Sequence, residues 1–539
     1  MKDKQPQRYG RSAEPILGAR RPKDTKADAK PGRKSSKKSA PPGPHEGGAP
    51  KGGAHKGGAH KGEVRSEARH TSKPNAKPSP KQGGAPHRQG QGQTGRKAAA
   101  GLQSRYLALT ILEAVMRDQT SLDSAIPDAL ADERFVDLAP RDKALARLLA
   151  MTVLRRHASL DAVVSTFLSK PLAANAQRIR LILLIGTAEL VLLGIAPHAA
   201  ISTAVELTRL SAKTQHFDRL ANAILRRVSE TGADVYAKHD TPAANIPDWM
   251  IEGWRTAYGS DAADRIAATS LEEAALDITV ADAPIEWAAR LEAIVLPTGS
   301  LRRVAGGRIE DLPGYSDGGW WVQDAAAALP AKLLGARTGA RILDLCAAPG
   351  GKTAQLCAAG ADVTAVDVSL SRIDRLRANL DRLGFDARTV AADATTWRDM
   401  EPFDGVLIDA PCSATGTIRR HPDILHLKRR NDIARLTEMQ LRLLQNAATL
   451  VAVGGTLVYC TCSLEPAEGE ACIEQFLAKH KTGRVRFTRQ AITAADVGGQ
   501  ADWITPAGDL RTLPFQLPGE NPALAGIDGF YAARLKREA

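Results

Sequence analysis

Three blocks between Asp344 and Ser463 hold the residue types able to do chemistry. They are Asp344-Leu-Cys-Ala-Ala-Pro-Gly-Gly-Lys-Thr353, Asp409-Ala-Pro-Cys-Ser-Ala-Thr-Gly416 and Tyr459-Cys-Thr-Cys-Ser463. The first is a glycine turn after the apolar run Ile342–Leu345. Glycine there lets the backbone approach a ligand and presents free amides at the start of the next helix. The other two each end an apolar run with a cysteine, Cys412 and Cys462, 50 positions apart. A cofactor loop and two thiols at one sheet edge suggest covalent catalysis on a substrate that a thiolate can add to.

The turn Cys346-Ala347-Ala348-Pro349-Gly350-Gly351-Lys352 has neither the G-x-x-x-x-G-K-[ST] nor the G-x-G-x-x-G spacing. No pyrophosphate cradle is therefore expected. Asp367, 17 residues beyond Gly350, ends the next apolar run, where a carboxylate accepts from ribose hydroxyls. Asp393 ends the third run, beside the place for an adenine, and Asp409 ends the fourth. Read singly, each aspartate is equally a cap or surface residue. Together they fit an adenosine-bearing cofactor, and S-adenosylmethionine needs no pyrophosphate site.

A free cysteine is most often a small buried hydrophobe, so neither thiol is persuasive alone. Pro411 restrains the turn that carries Cys412. Cys460, two residues before Cys462, faces the same side of a strand, and it either competes as nucleophile or packs below the site. Arg419 and Arg420 follow the Cys412 loop and are read as RNA phosphate or base contacts, the alternative being a solvated loop.

These residues need a scaffold. From Arg341 onward apolar runs alternate with helical stretches such as Ser371–Leu383 and Asp432–Val451, which predicts an α/β, Rossmann-like doubly wound sheet over residues 321–539. Residues 101–234 carry apolar positions at helical spacing: Tyr106, Leu109, Leu112 and Met116 in one stripe, Leu145, Leu148, Leu149, Thr152 and Val153 in another. An all-helical bundle is expected there. Leu181–Ala196 is interrupted by Glu189 and too short to span a bilayer, so it reads as a buried helix. Residues 235–320 read as a connecting subdomain, with a helical element around Pro247–Ala268 and strands at Asp277–Val280 and Ala293–Leu296.

At 539 residues the chain is expected to be multidomain. Its net charge of +13 is uneven: residues 1–100 hold 24 Lys/Arg against 7 Asp/Glu, a net of +17, and the remaining 439 hold 49 against 53, a net of −4. That first segment, with Tyr9 its one aromatic residue, reads as a disordered basic low-complexity tail. It either attracts phosphate backbones or only solubilises the chain. All six cysteines lie between Cys346 and Cys472, no secretory signal opens the chain, and no zinc-type C-x-x-C pair occurs. A soluble cytoplasmic protein with no metal and no membrane partner is expected, and a monomer.

Two resemblances sharpen this. Arg155-Arg-His157, Gly194-Ile-Ala-Pro-His198-Ala-Ala-Ile201 and Phe217-Asp-Arg-Leu-Ala-Asn-Ala-Ile-Leu-Arg-Arg227 resemble the NusB-type RNA-binding helical domain. The three catalytic blocks, with Asp528-Gly-Phe-Tyr-Ala-Ala-Arg-Leu535, resemble the RNA cytosine-C5 methyltransferases of the RsmB/Sun group. The second resemblance implies Cys462 as nucleophile and Cys412 as the thiol aiding product release. It assigns Cys346–Lys352, Asp367, Asp393 and Asp409 to S-adenosylmethionine, and the combination implies ribosomal RNA, 16S-type, as partner. The chemistry is consistent. Thiolate addition at C6 of cytosine puts carbanion character on C5, and Asp409, with Lys352 assisting, can stabilise protonation at N3. The rival readings are the same reaction on transfer RNA, a DNA methyltransferase with its nucleophile at Cys412, and a non-catalytic RNA-binding or antitermination factor.

Overall fold

The computed structural model describes residues 101–304 and 306–539, which lie within one compact unit. The expected basic tail, residues 1–100, lies outside the described residues.

The N-terminal domain is built on seven helices: α1 (Leu102–Met116), α2 (Leu122–Ala131), α3 (Pro140–Arg155), α4 (His157–Phe167), α5 (Gln177–Val191), α6 (Pro197–Arg209) and α7 (Asp218–His239). α1 and α5 are central because apolar side chains cover most of their circumference: Leu107, Leu109, Ile111, Leu112 and Val115 on α1 and Leu181–Ile185 on α5 are all buried. Each such aliphatic side chain contributes roughly 2 kcal/mol of burial. The expected α1 stripe is thus part of a wider apolar surface, and Leu148 of α3 is 41% exposed, outside the face assigned to it. Glu189, the interruption in the apolar run, is buried and paired with Arg105 at 2.5 Å, so α1 and α5 also share an ion pair. α7 continues through residue 234 to His239, which moves that domain boundary downstream.

The middle segment is more than a connector. Two helices, α8 (Asp248–Tyr258) and α9 (Ser260–Ser270), stand where one helical element is expected. They precede β1 (Leu276–Val280), α10 (Pro284–Arg290), β2 (Ile294–Val295), β3 (Leu301–Arg303) and β4 (Trp320–Val322). The strands form an antiparallel sheet in the order β2-β3-β1-β4. The expected boundary at 320 therefore falls inside β4, because that strand pairs backwards with β1.

The catalytic domain follows: α11 (Leu329–Leu334), β5 (Arg341–Leu345), α12 (Gly351–Ala358), β6 (Asp362–Asp367), α13 (Leu370–Leu383), β7 (Arg388–Ala391), β8 (Phe403–Asp409), α14 (Ile424–Leu427), α15 (Arg430–Leu450), β9 (Val451–Thr461), α16 (Glu470–Lys479), β10 (Phe487–Arg489), β11 (Leu510–Thr512) and β12 (Phe530–Arg537). β7, β6, β5, β8 and β9 run parallel in that order, and β12 extends the sheet antiparallel to β9. Period-2 alternation sends Val406, Ile408, Leu457 and Tyr459 to the α15 side and Leu407, Val458 and Cys460 to the α11 side. From β5 the chain winds first towards β7 and later towards β9, so the crevice beside the carboxyl end of β5 is a topological switch point.

Candidate active site

The first catalytic block turns sharply where β5 ends. Cys346 adopts a left-handed conformation at φ 61°, and Gly350 at φ 103° packs so closely on α13 that a Cβ would sit 3.0 Å from Leu376 Cγ. The turn is clipped from behind. The Ala348 amide donates to Asp367 Oδ2 at 3.3 Å, Arg372 donates to the Ala348 carbonyl, and Asn379 Nδ2 donates to the Pro349 carbonyl at 2.8 Å. Asp344, buried at the end of β5, accepts from Thr353 Oγ1 at 2.7 Å with one oxygen, while its other oxygen has no partner.

Lys352, in the first turn of α12, lies beside Asp409, with Nζ 2.7 Å from Oδ2. Burial alone would depress the ammonium's pKa, but the charge of Asp409 overrides it and the net shift is upward. Cys460, paired in register with Asp409, directs its thiol to Asp409 Oδ1 at 3.6 Å. It is fully buried, and burial raises its pKa, as suits packing beneath the site rather than nucleophilic attack.

Cys462 lies one residue past β9, and its Sγ is 3.5 Å from Cys412 Sγ. The hydrogen bond to Cys462, followed by burial, raises the Cys412 pKa well above that of an ordinary thiol. Cys412 is thus held protonated, with a hydrogen to offer its neighbour.

Both cysteine loops are stitched to one carboxylate. Ser413 and Ser463, the residues after the two thiols, donate to Glu468 at 2.5 Å and 2.6 Å, and Gln440 donates to it at 3.0 Å. The Cys412 loop also presses on β12. The Gly529 amide donates to the Gly416 carbonyl at 2.9 Å, and a Cβ at Gly416 would meet the Gly529 oxygen at 1.9 Å. The sequence analysis missed Glu468; its one signal was the repeated Cys-Ser pair.

A cleft of about 520 Å³ unites these parts, lined by Asp344, Gly350, Gly351, Lys352, Asp409 and Cys462 together with Trp321, Gln323, Asp324, Asp528 and Phe530. Trp321, Gln323 and Asp324 were not singled out, because β4 carries no motif of its own; Asp528 and Phe530 lie in the quoted block Asp528–Leu535 but were given no role in the site. Asp367 and Asp393 stand at the ends of β6 and β7, outside that lining. Asp367 is buried, and its oxygens accept from the Ala348 and Ser369 amides. Asp393 is exposed, and hydrogen bonds from Thr395 hold its carboxyl below the ordinary range.

Arg419 and Arg420 are turned inward, contrary to their reading as RNA contacts. Arg419 is 2% exposed and donates to the Ala525 and Glu273 carbonyls. Arg420 binds Asp324 at 2.7 Å and Asp528 at 3.1 Å, and lies 3.7 Å from Asp277, which is itself paired with Arg302 at 2.6 Å. Three buried carboxylates from the middle segment and the entrance to β12 surround the Arg420 guanidinium, and distant carbonyls take that of Arg419, a long-range demand invisible in the local sequence.

Among the described residues no cluster of three or more His, Cys, Asp or Glu side chains could hold a metal ion, and no helix is long and apolar enough to cross a membrane.

Residues 331–536 match the family model described as 16S rRNA methyltransferase RsmB/F, and residues 102–230 match the NusB family model. The chain is 35% identical over 456 residues to the ribosomal RNA small subunit methyltransferase B of Xanthomonas campestris pv. campestris, covering 81% of this chain and 98% of that protein. It is likewise 35% identical over 465 residues to the protein of the same name from Xylella fastidiosa, with 81% and 99% covered. The crystal structure of PH0851 shares the fold, with a TM-score of 0.64 at 20% identity over 81% of this chain and 98% of that one.

Proposed function

The chain belongs to the 16S rRNA methyltransferase RsmB/F family, and we propose that Cys462 is its nucleophile, Cys412 the thiol that assists release, and a cytosine of 16S-type ribosomal RNA its target. The enzyme is an S-adenosylmethionine-dependent RNA (cytosine-C5) methyltransferase. The pairing of Cys412 at 3.5 Å with Cys462, which lines the Asp409–Lys352 cleft, carries the reading.

The residues fit the cofactor. The unpartnered oxygen of buried Asp344, the glycine turn and the absence of a pyrophosphate cradle suit a zwitterionic amino-acid end, while Asp367, Asp393 and the 71%-exposed Val368 suit an adenosine. Cys346–Lys352, Asp367, Asp393 and Asp409 would hold it. When bound, S-adenosylmethionine supplies an electrophilic methyl group on a sulfonium. The chain's own residues prepare the base to take it. The Cys462 thiolate forms a bond to C6, the 5,6 double bond opens, and the electron pair comes to reside at C5. Asp409, backed by Lys352 at 2.7 Å, stabilises an N3 edge that takes a proton from solvent and so lowers the cost of that addition. Once C5 carries the methyl group the C5 proton passes to water, the sulfur–C6 bond breaks, the double bond re-forms and N3 returns its proton to solvent. The Cys412 S–H hydrogen-bonds to the departing Cys462 thiolate. The target base must leave its stack to reach this cleft.

Six free thiols suit a reducing cytoplasm, and no metal enters any of these steps. We take the enzyme to act as a monomer. The test is bisulfite sequencing of ribosomal and transfer RNA from cells with and without the gene. Loss of one 5-methylcytosine from small-subunit ribosomal RNA is expected. Loss from transfer RNA alone would replace the substrate, and no loss anywhere would overturn the reading.

A further inference from the structure

His421 lies in the wall of the catalytic cleft together with Thr417 and Cys462, yet no step of the reaction uses it. Its position is set from the helical domain. Two residues before it, the Arg419 carbonyl accepts from Arg155 Nη2 of α3 at 2.7 Å, a buried contact. Two residues after it, Asp423 Oδ2 accepts from the Leu122 amide at the start of α2 at 3.0 Å, also buried. A third tie follows on α14, where His426 Nε2 donates to the Leu154 carbonyl at 2.9 Å. The imidazole itself points Nδ1 towards Asp123 of α2 at 3.6 Å. The helical domain thus brackets His421 on both sides and orients its ring.

That domain is not a strongly basic surface. Residues 101–240 carry 17 Lys/Arg against 15 Asp/Glu, so phosphate attraction alone gives it little to do. The cleft wall around His421 is anionic as well. Asp324 and Asp528 line it, and the cations that approach it are occupied: Lys352 by Asp409, Arg420 by Asp324 and Asp528, and Arg382 by the Tyr315 and Trp320 carbonyls. A phosphate brought there would find each of these cations already engaged. A neutral hydroxyl needs none of them. With Nδ1 turned towards Asp123 at 3.6 Å, Nε2 is the ring nitrogen left to meet a hydroxyl of the substrate.

We propose that His421 accepts a hydrogen bond from the ribose 2′-hydroxyl of the target nucleotide, and that the helical domain, through Asp123, Arg155 and the Leu122 amide, positions it to discriminate RNA from DNA at the reacting residue. The 2′-hydroxyl is the one group that separates the two at a given position. This inference rests on the methyltransferase reading above.

The experiment compares two oligonucleotides carrying the mapped target cytosine, identical except for a ribose or 2′-deoxyribose at that one position, in kcat/KM for methyl transfer by the full chain. The wild type is expected to prefer the ribose form by about three- to tenfold, the size of one hydrogen bond. His421→Ala should bring that ratio to within about twofold of unity, and His421→Gln, which keeps an acceptor, should restore part of it. Asp123→Ala, at an exposed site, should narrow the ratio by less. A merely structural residue would lower both substrates together and leave the ratio unchanged. An unchanged ratio in His421→Ala, or no ribose preference in the wild type, overturns the proposal. Failure of the wild type to methylate either oligonucleotide would instead sink the methyltransferase reading.

Discussion

Cys412 Sγ and Cys462 Sγ face each other at 3.5 Å from two loops that share no strand, held in step because Ser413 and Ser463 donate to the same carboxylate, Glu468. The geometry separates the thiols' duties. Cys462 follows directly on the rigid end of β9, whereas Cys412 is kept protonated by its neighbour and by burial. With RNA containing 5-fluorocytosine at the target, where the C5 proton is replaced and the adduct cannot resolve, Cys462→Ser should form no covalent complex and lose at least ~10³-fold in kcat. Cys412→Ser should still form it, and with normal RNA should accumulate a complex that the wild type clears. Denaturing gel electrophoresis reads both. A covalent complex that depends on Cys412 and not on Cys462 would reverse the assignment.

Lys352 and Asp409 form the second such pair, at 2.7 Å. Lys352→Met leaves Asp409 without its counter-charge next to the base. The expected result is a fall of about 10²–10³ in kcat with the RNA Kd nearly unchanged, since the interaction matters most as the ring takes up charge. Lys352→Arg should recover little, because the planar guanidinium does not replace a compact ammonium in a buried pocket. Equal losses in kcat and RNA affinity would show the lysine to be a ground-state contact instead.

Arg420 yields a contrast between stability and binding. Its guanidinium serves Asp324 and Asp528 inside the fold, with Asp277 at 3.7 Å. Arg420→Gln would leave buried carboxylates unpaired, a loss of about 3–5 kcal/mol of stability. The salt dependence of RNA binding should not change. A phosphate contact would do the opposite, lowering the slope of log K against log salt by about 1 with little change in the urea midpoint.

The parallel strands and their order of chemistry were legible because each apolar run is short, buried on both faces and closed by a polar motif. Ile342–Leu345, Val363–Val366 and Val406–Ile408 became β5, β6 and β8 within one to three residues at each end. The two-residue period of β9 put Cys460 on the same side as Cys462 and left both roles open, and its full burial beside Asp409 decides for packing below the site. The inward turn of Arg419 and Arg420 was not legible, because what satisfies them, Asp277, Asp324, Asp528 and the Ala525 carbonyl, lies about 100 or more residues away in sequence. The wall from β4 escaped because only the fold brings it to the cleft, and Glu468, 5 residues from Ser463 but 55 from Ser413, because its role emerges only when the two cysteine loops meet. A charge in a loop carries no local mark of whether it will meet solvent or a partner brought by the fold.

Asp344 gives a pH-dependent signature. Burial, opposed by the hydrogen bond from Thr353, pushes its carboxyl up to about 7 from an unfolded value near 3.8. A carboxyl whose folded pKa is raised binds more protons in the folded state between those two values. Its contribution is fully present below about pH 4 and is lost as pH rises through 7. At about 1.4 kcal/mol for each pKa unit the loss amounts to at most about 4 kcal/mol. Asp344→Asn keeps an acceptor for Thr353 and cannot ionise, so its stability relative to wild type should climb between pH 4 and pH 7 and level off above. Glu465 and Asp528, also pushed up to about 7, are common to both proteins and cancel in the difference. Urea midpoints measured at unit pH intervals give the comparison directly. Parallel curves over that window would mean that Asp344 is already ionised in the folded enzyme. The unpartnered carboxylate oxygen would then face the cofactor cleft as an anion instead of a neutral acid.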